Sequence, residues 1–278
     1  MFLEKRKRKF MNNNEKLDYL INRLIDEDIR YKDIEIPDNY KDKFNLLRSL
    51  MNVREPRKID EYFLKIQDEF LKEISVEKGI VDVDDLETID ILFNRTKNKH
   101  KNKIILWKGD ITTLKVDAIV NAANSQMLGC FVPCHRCIDN AIHTFSGIQL
   151  RNECEDIMKK QGSLEQTGNA KITKAYNLPC KYVIHTVGPI VNDVLTDEKC
   201  LELKSCYESC LGLAKQSRIK SIAFCCISTG EFHFPNDKAA KIAVDTVCEF
   251  LDDNEDIEKV IFNVFKEEDY KIYESLLK

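Results

Sequence analysis

From residue 14 to about residue 92 the apolar positions recur at helical spacing. Leu17, Leu20, Ile21, Leu24 and Ile25 form one set, Phe44, Leu46, Leu47 and Leu50 a second, and Ile59, Phe63, Ile66, Phe70 and Leu71 a third. Three or more amphipathic helices follow, with Pro37 and Pro56 just ahead of two of them, where a missing N–H costs least. Residues 97–103 contain only lysine, asparagine and histidine and mark the predicted boundary between a helical extension, 1–100, and a second domain, 101–278. Beyond it the period changes. Short β-branched runs at 104–107, 118–120, 182–187, 221–227 and 260–265 alternate with helical stretches near 138–160, 199–216, 235–252 and 267–277. Alternation of this kind predicts a layered α/β domain with helices on both sheet faces and ligands at the carboxyl ends of the strands.

Composition narrows the classes. The 278 residues carry a formal charge of −4, are 32% charged and 43% hydrophobic, and so describe a globular protein rather than a disordered acidic chain. No basic field points to nucleic acid, and the runs at 5–9 and 97–103 read as solvated lysines. The first ten residues lack the apolar core of a secretory signal, and no stretch approaches the ~20 apolar residues needed to cross a bilayer. Eleven cysteines, an odd number, then read as reduced thiols, and the expected location is cytoplasmic with no membrane partner.

Three strand ends carry chemistry. Lys108-Gly109-Asp110-Ile111-Thr112 and Asn121-Ala122-Ala123-Asn124-Ser125 combine small residues with carboxylate and amide groups, although each alone is an ordinary turn. Ser228-Thr229-Gly230-Glu231-Phe232-His233-Phe234-Pro235 sets hydroxyls and a glycine ahead of a proline that can start a helix, an arrangement that receives phosphate. Phe232 and Phe234 are candidates to stack on a base.

The densest segment holds Cys130, Cys134, His135 and Cys137 within eight residues, outside any apolar pattern that would explain buried cysteines. Thiolate and imidazole together suit zinc. Three protein ligands leave an open, catalytic position, whereas four, with Cys134, make a closed structural site. The C-x3-C-x2-C spacing also matches a radical-enzyme cluster motif, and Pro133-Cys134-x-x-Cys137 matches half of a zinc deaminase signature. The first needs a large barrel after the motif, and the second an upstream H-x-E that His100, followed by Lys101 and Asn102, does not supply.

Read in order, residues 107–112, 116–124, 167–173, 182–189 and 227–230 resemble the macrodomain family. The resemblance implies a three-layer α/β/α sandwich over about 104–275 that binds ADP-ribose. Where ordinary macrodomains have a run of glycines, this chain has Cys130 to Cys137 followed by Ile138-Asp139-Asn140-Ala141-Ile142-His143. That departure, with the helical extension, resembles the zinc-dependent branch, whose members are protein-ADP-ribosyl hydrolases, often linked to a sirtuin-type ADP-ribosyltransferase that modifies a lipoylated carrier protein.

The resemblance implies roles by position. Cys130, His135 and Cys137 are the expected Zn2+ ligands, with Cys134 outside the set. Asp110, with Ile111 beside it, is the expected partner of the adenine amino group. Asn124 is expected at the distal ribose, and Ser228, Thr229, Gly230, Glu231 and Phe232 around the diphosphate and distal ligand. Asn124 and Asp139 are the expected catalytic residues, while His143 and His185 are expected to pack. The implied reaction is hydrolysis of mono-ADP-ribose from protein side chains, as Asp or Glu esters. The competing class is a reader module that binds ADP-ribose without cleaving it.

Overall fold

The computed structural model describes residues 11–278; the basic run at 5–9 lies outside the described residues. The chain begins with helices α1 (Asn13–Asp26), α2 (Tyr40–Val53) and α3 (Glu61–Lys78). Each is opened by a side chain that accepts from a first-turn amide: Asn12 from Glu15, Asn39 from Asp42, and Asp60 from Phe63. At α1 the Glu15 carboxylate returns the bond to the Asn12 N–H, completing a capping box. The three helices bury Leu17, Leu20, Ile21, Leu47, Leu50, Phe63, Phe70 and Leu71 in a core of their own, which Ile148 of the second region joins.

A short strand β1 (Val81–Asp82) and helix α4 (Ile89–Phe93) follow, and Val83 and Ile89 already belong to the larger second core. Residues 97–103 form turns that are tied down: His100 Nε2 meets Asp252 Oδ1 at 2.6 Å, and Lys99 reaches the same carboxylate.

The second region contains β2 (Ile104–Lys108), β3 (Leu114–Lys115), β4 (Ala118–Ala123), α5 (Ile138–Ser146), α6 (Ile148–Gln161), β5 (Ala170–Lys174), β6 (Tyr182–Val187), α7 (Asp197–Gln216), β7 (Ser221–Phe224), α8 (Asn236–Asp252), β8 (Lys259–Val264) and α9 (Glu267–Leu277). The main sheet runs β2-β8-β7-β4-β6-β5, all neighbours parallel except β5 against β6. From β4 the chain moves one way along the sheet, to β6 and β5, and after β6 it moves the other way, to β7 and β8. Right-handed crossovers therefore put α5 and α6 on one face and α7 and α8 on the other, which makes the three layers. The reversal falls between β4 and its two neighbours, and ligands of open α/β sheets bind at the carboxyl ends there.

Three details depart from the sequence reading. The single helical stretch near 138–160 is two helices, because Gly147 takes a φ of +96° and breaks the ladder. The run 221–227 is strand only to Phe224, after which it turns into the loop before α8. Strand β5, overlapping the 167–173 motif, carries no apolar alternation strong enough to predict it: only Thr173 is buried, Ala170 to Ile172 are half-exposed and Lys174 is exposed. Among the described residues no helix is long and apolar enough to cross a membrane.

Candidate functional site

Two loops rise at the switch point, one after β4 carrying residues 124–137 and one after β7 carrying 225–235. Helix α2 contacts the first, and β2 with its following turn flanks the second across β8.

The cysteine-rich loop brings Cys130 Sγ, His135 and Cys137 Sγ together, with ligand atoms all within 4.8 Å of one another and each residue half-buried. Cys130 Sγ lies 3.7 Å from His135 Nδ1. A tetrahedral zinc at ~2.3 Å from sulfur and ~2.0–2.1 Å from nitrogen requires a sulfur-to-nitrogen separation of about 3.6 Å, so the donor set fits zinc in chemistry and spacing. Cys134 turns away: with φ +51° its thiol faces Asn45 O at 3.3 Å and Ser49 Oγ at 3.2 Å on α2. Cys137 caps α5, accepting from the Asn140 N–H at 3.4 Å, and burial pushes its thiol up to about 12.

Asp139 sits in the first turn of α5, fully buried, and burial raises its carboxyl to about 6 against the opposing effect of the Asn121 hydrogen bond. Asn121 Nδ2 donates to Asp139 Oδ1 at 2.8 Å and to His185 Nδ1 at 3.1 Å. Since an amide nitrogen only donates, His185 Nδ1 is the acceptor and its proton is on Nε2, which meets Thr173 Oγ1 at 2.9 Å. Asn124 Nδ2 donates to Gly129 O at 3.1 Å and reaches Asp139 Oδ2 at 3.4 Å. Asp139 is thus held through both oxygens by the two asparagines of the 121–124 motif.

His143 is packed beneath this layer. Its Nε2 stands 3.5 Å from Asp139 Oδ1 without making a hydrogen bond, and burial holds its pKa well below the usual imidazole range. Gly129 needs to be glycine here: its φ is +81°, and a Cβ would lie 2.7 Å from the His143 ring. His143, Cys154 and His185 also form a compact group. With both His185 nitrogens engaged, that buried group reads as packing.

The second loop turns sharply at Ser228, whose φ is +64°. Ser228 Oγ is buried without a partner, packed so closely on Gly188 that a Cβ there would lie 2.0 Å away. Among the described residues the N–H groups of Gly230, Glu231 and Phe232 have no protein partner, and α8 begins with no side-chain cap. Phe232 is half-buried, but Phe234, a candidate base-stacking residue from the sequence, is 1% exposed and belongs to the core. Glu231 Oε1 reaches across to His135 Nε2 at 3.7 Å, so the two loops meet at the metal-type cluster.

Asp110 caps the turn after β2, accepting from Thr112 N at 2.9 Å and Thr112 Oγ1 at 2.7 Å. Burial pushes its carboxyl up, but Lys78, at 2.7 Å, and Thr112 outweigh it and hold the pKa low. Lys78, which ends α3, also bonds Thr112 Oγ1 and lies 3.6 Å over the Phe145 ring. Ile111 is in the core and leaves only its main chain to meet a ligand.

Residues to which no role was assigned from the sequence complete the site. Asn121 is a polar residue at a fully buried position of an apolar strand, a signal that was legible. Phe265 is 77% exposed just after Val264, whose carbonyl accepts from Gly109 N at 3.0 Å. Lys78 and Arg48 come from the extension, and no local pattern marks them.

A mixed six-stranded sheet with its crevice at the carboxyl ends, an uncapped helix opposite a carboxylate turn, and no Gly-rich dinucleotide fingerprint define a ligand-binding domain of macrodomain architecture. The chain belongs to the Macro domain family, whose model matches residues 120–243. It is 51% identical over 267 residues, 96% of this chain and 100% of the relative, to a protein of Treponema medium named protein-ADP-ribose hydrolase. A protein of the same name from Staphylococcus aureus strain MRSA252 is 44% identical over 94% of this chain and 95% of its own. The crystal structure of the Trypanosoma brucei macrodomain in complex with ADP-ribose aligns with a TM-score of 0.64 at 30% identity, covering 83% of this chain and 95% of that one.

Proposed function

We propose that this chain is a zinc-dependent protein-ADP-ribose hydrolase, which cleaves mono-ADP-ribose from protein side chains held as Asp or Glu esters and releases ADP-ribose. The observation that carries the reading is the meeting of the two loops. A three-donor cluster of Cys130, His135 and Cys137 adjoins the anion-type loop through the His135 to Glu231 contact at 3.7 Å, and Asp139 follows the third donor by two residues. The names of the relatives from Treponema medium and Staphylococcus aureus support the reaction class.

In this reading Asp110 accepts from the adenine amino group, and Phe265 beside it covers the base. The free N–H groups of Gly230, Glu231 and Phe232, with the N-terminus of α8, receive the diphosphate. Ser228 shapes that loop through its packing on Gly188, Thr229 ties it back to Cys226 O at 3.1 Å, and Phe232 lies against the distal ligand. Asn124 and Asp139 orient the distal ribose, and the bonds from Asn121 and Asn124 preset the carboxylate, which removes an orientation cost from the reaction. Cys130, His135 and Cys137 would hold the zinc, which would supply Lewis-acid chemistry there, polarising an oxygen or lowering the pKa of a water from ~15.7 toward ~7. The modified partner is a protein carrying mono-ADP-ribose, and the resemblance to the zinc-dependent branch supports a lipoylated carrier modified by a sirtuin-type transferase as that partner.

The test combines elemental analysis of the purified protein with release of ADP-ribose from a mono-ADP-ribosylated protein. Near-stoichiometric zinc is expected, with turnover lost in Cys130→Ala and Cys137→Ala while ADP-ribose binding is kept. Full turnover in metal-free protein refutes the zinc. Retention of modified protein without any release makes the chain a reader. An Asp or Glu ester compared with a serine-linked substrate reads the bond class.

A further inference from the structure

The loop that carries the three donors has no regular secondary structure between β4 and α5, so its shape depends on a few turn bonds and on contacts from neighbouring elements. Helix α2 of the extension holds its second half, at Cys134 and His135. Arg48 Nη2 donates to His135 O at 2.9 Å and to Asn140 Oδ1 at 2.6 Å, with Nε on the same oxygen at 3.2 Å. Asn140, held in this way, turns its amide nitrogen to Val132 O at 2.9 Å and Cys130 O at 3.5 Å. One guanidinium therefore spans, directly or through one side chain, the backbone of two of the three donor residues.

One turn further along α2, Asn52 Oδ1 accepts from Cys134 N at 2.9 Å, and its amide nitrogen donates to Thr144 Oγ1 of α5 at 3.0 Å. The Cys134 thiol lies against Asn45 O and Ser49 Oγ, which keeps it out of the cluster and gives it a role as a latch on the helix.

We infer that α2 is the scaffold of the metal loop, with Arg48 its positioning residue, so that the helical extension sets zinc affinity. The inference rests on the zinc reading above. Its physical basis is that an irregular loop has to be ordered before three side chains can converge on one ion, and each fixed carbonyl removes freedom that metal binding otherwise has to remove. Groups behind the ligands commonly change metal affinity by about 10- to 100-fold when lost.

The experiment measures the zinc affinity of the full-length protein by competition with a chromophoric chelator. Arg48→Met is expected to bind zinc about 10- to 100-fold more weakly than wild type. Arg48→Lys, which keeps the charge and stem without the fork, falls between them and serves if Arg48→Met does not fold. Cys134→Ser keeps the hydrogen-bonding latch and is expected to bind as wild type does. Wild-type affinity in both Arg48 variants overturns the inference and leaves the zinc reading standing. Zinc lost in Cys134→Ser makes Cys134 a ligand and also overturns it. Wild-type protein that takes up no zinc refutes the zinc reading, and this inference with it.

Discussion

Replacing Arg151 with methionine asks how firmly the extension and the macrodomain are joined. Arg151, in α6, is 5% exposed, and its guanidinium donates to four carbonyls: Leu128 at 2.7 Å, and Met51, Asn52 and Arg54 at 3.1, 2.7 and 2.6 Å. The last three are at the C-terminal end of α2, where carbonyls have no partner within the helix. Its carbon lies 4.3 Å from the centre of the Phe131 ring, on the metal loop. Methionine fills much of the volume and donates nothing. Each abandoned buried acceptor costs about 1–3 kcal/mol. Removing the charge recovers some desolvation, since burial already lowers the Arg151 pKa to about 10. A cavity of about 10 Å³ beside Arg151, Asn52 and Arg54 has room for one water, which can satisfy one or two of the four. Two or three orphaned carbonyls less the recovered desolvation leave a destabilisation of about 3–5 kcal/mol, in line with breaking a buried charged contact. Urea unfolding followed by circular dichroism and by fluorescence of Trp107, the single tryptophan, measures it. A loss below about 1 kcal/mol means that Arg151 does not carry the joint, and refutes the reasoning.

Two further outcomes are expected. Gly188→Ala forces a Cβ to within 2.0 Å of Ser228 Oγ and 2.9 Å of Ile227 Cγ2, so the second loop has to shift. Overpacking of this kind costs about 1–3 kcal/mol, and weakened ADP-ribose binding in calorimetry is the readout; unchanged affinity means that this loop does not hold the ligand. At Glu27 burial pushes the carboxyl up, but Arg54 and Arg57 outweigh it and hold the pKa below 4.5. A lowered folded pKa contributes stability that is present above the unfolded value and lost as pH falls through the folded one. Thermal melts from pH 3 to 7 are therefore expected to separate wild type from Glu27→Gln at neutral pH and to converge in acid. A constant gap across that range removes the ion pair as the cause.

Much of the fold was legible because it is written in local periods. The apolar sets of α1, α2 and α3 are spaced for one helical face, and their residues are buried except Phe44, Leu46 and Ile59, which are half-buried against the same core. Strands β4, β6 and β8 are mostly apolar and buried along nearly their whole length, as parallel strands covered on both faces have to be, with Asn121, His185, Thr186 and Asn263 as buried polar exceptions. Strand β5 was not legible because an antiparallel edge strand buries little and so needs no strong pattern. The split between α5 and α6 depends on one glycine at positive φ, where a Cβ would lie 2.6 Å from Gln67 Nε2 and 3.0 Å from Asn177 Nδ2.

The sequence by itself determined which chemistry is available: three thiols and an imidazole within eight residues, an amide motif at a strand end, and a small-residue turn before a helix. These are properties of residue type and spacing, and they survive in any fold that places a loop after each strand. Only the tertiary structure decided which groups meet. Cys134 and Cys137 are three residues apart, yet one thiol faces α2 and the other faces Cys130, because backbone conformation at φ +51° sends them in different directions. Arg48 and Lys78 are 87 and 32 residues from His135 and Asp110 in sequence, and they reach them because the extension folds back onto the sheet's carboxyl edge. Contacts over such separations leave no periodic trace in the chain, since they are set by how two cores dock rather than by which face of an element is apolar.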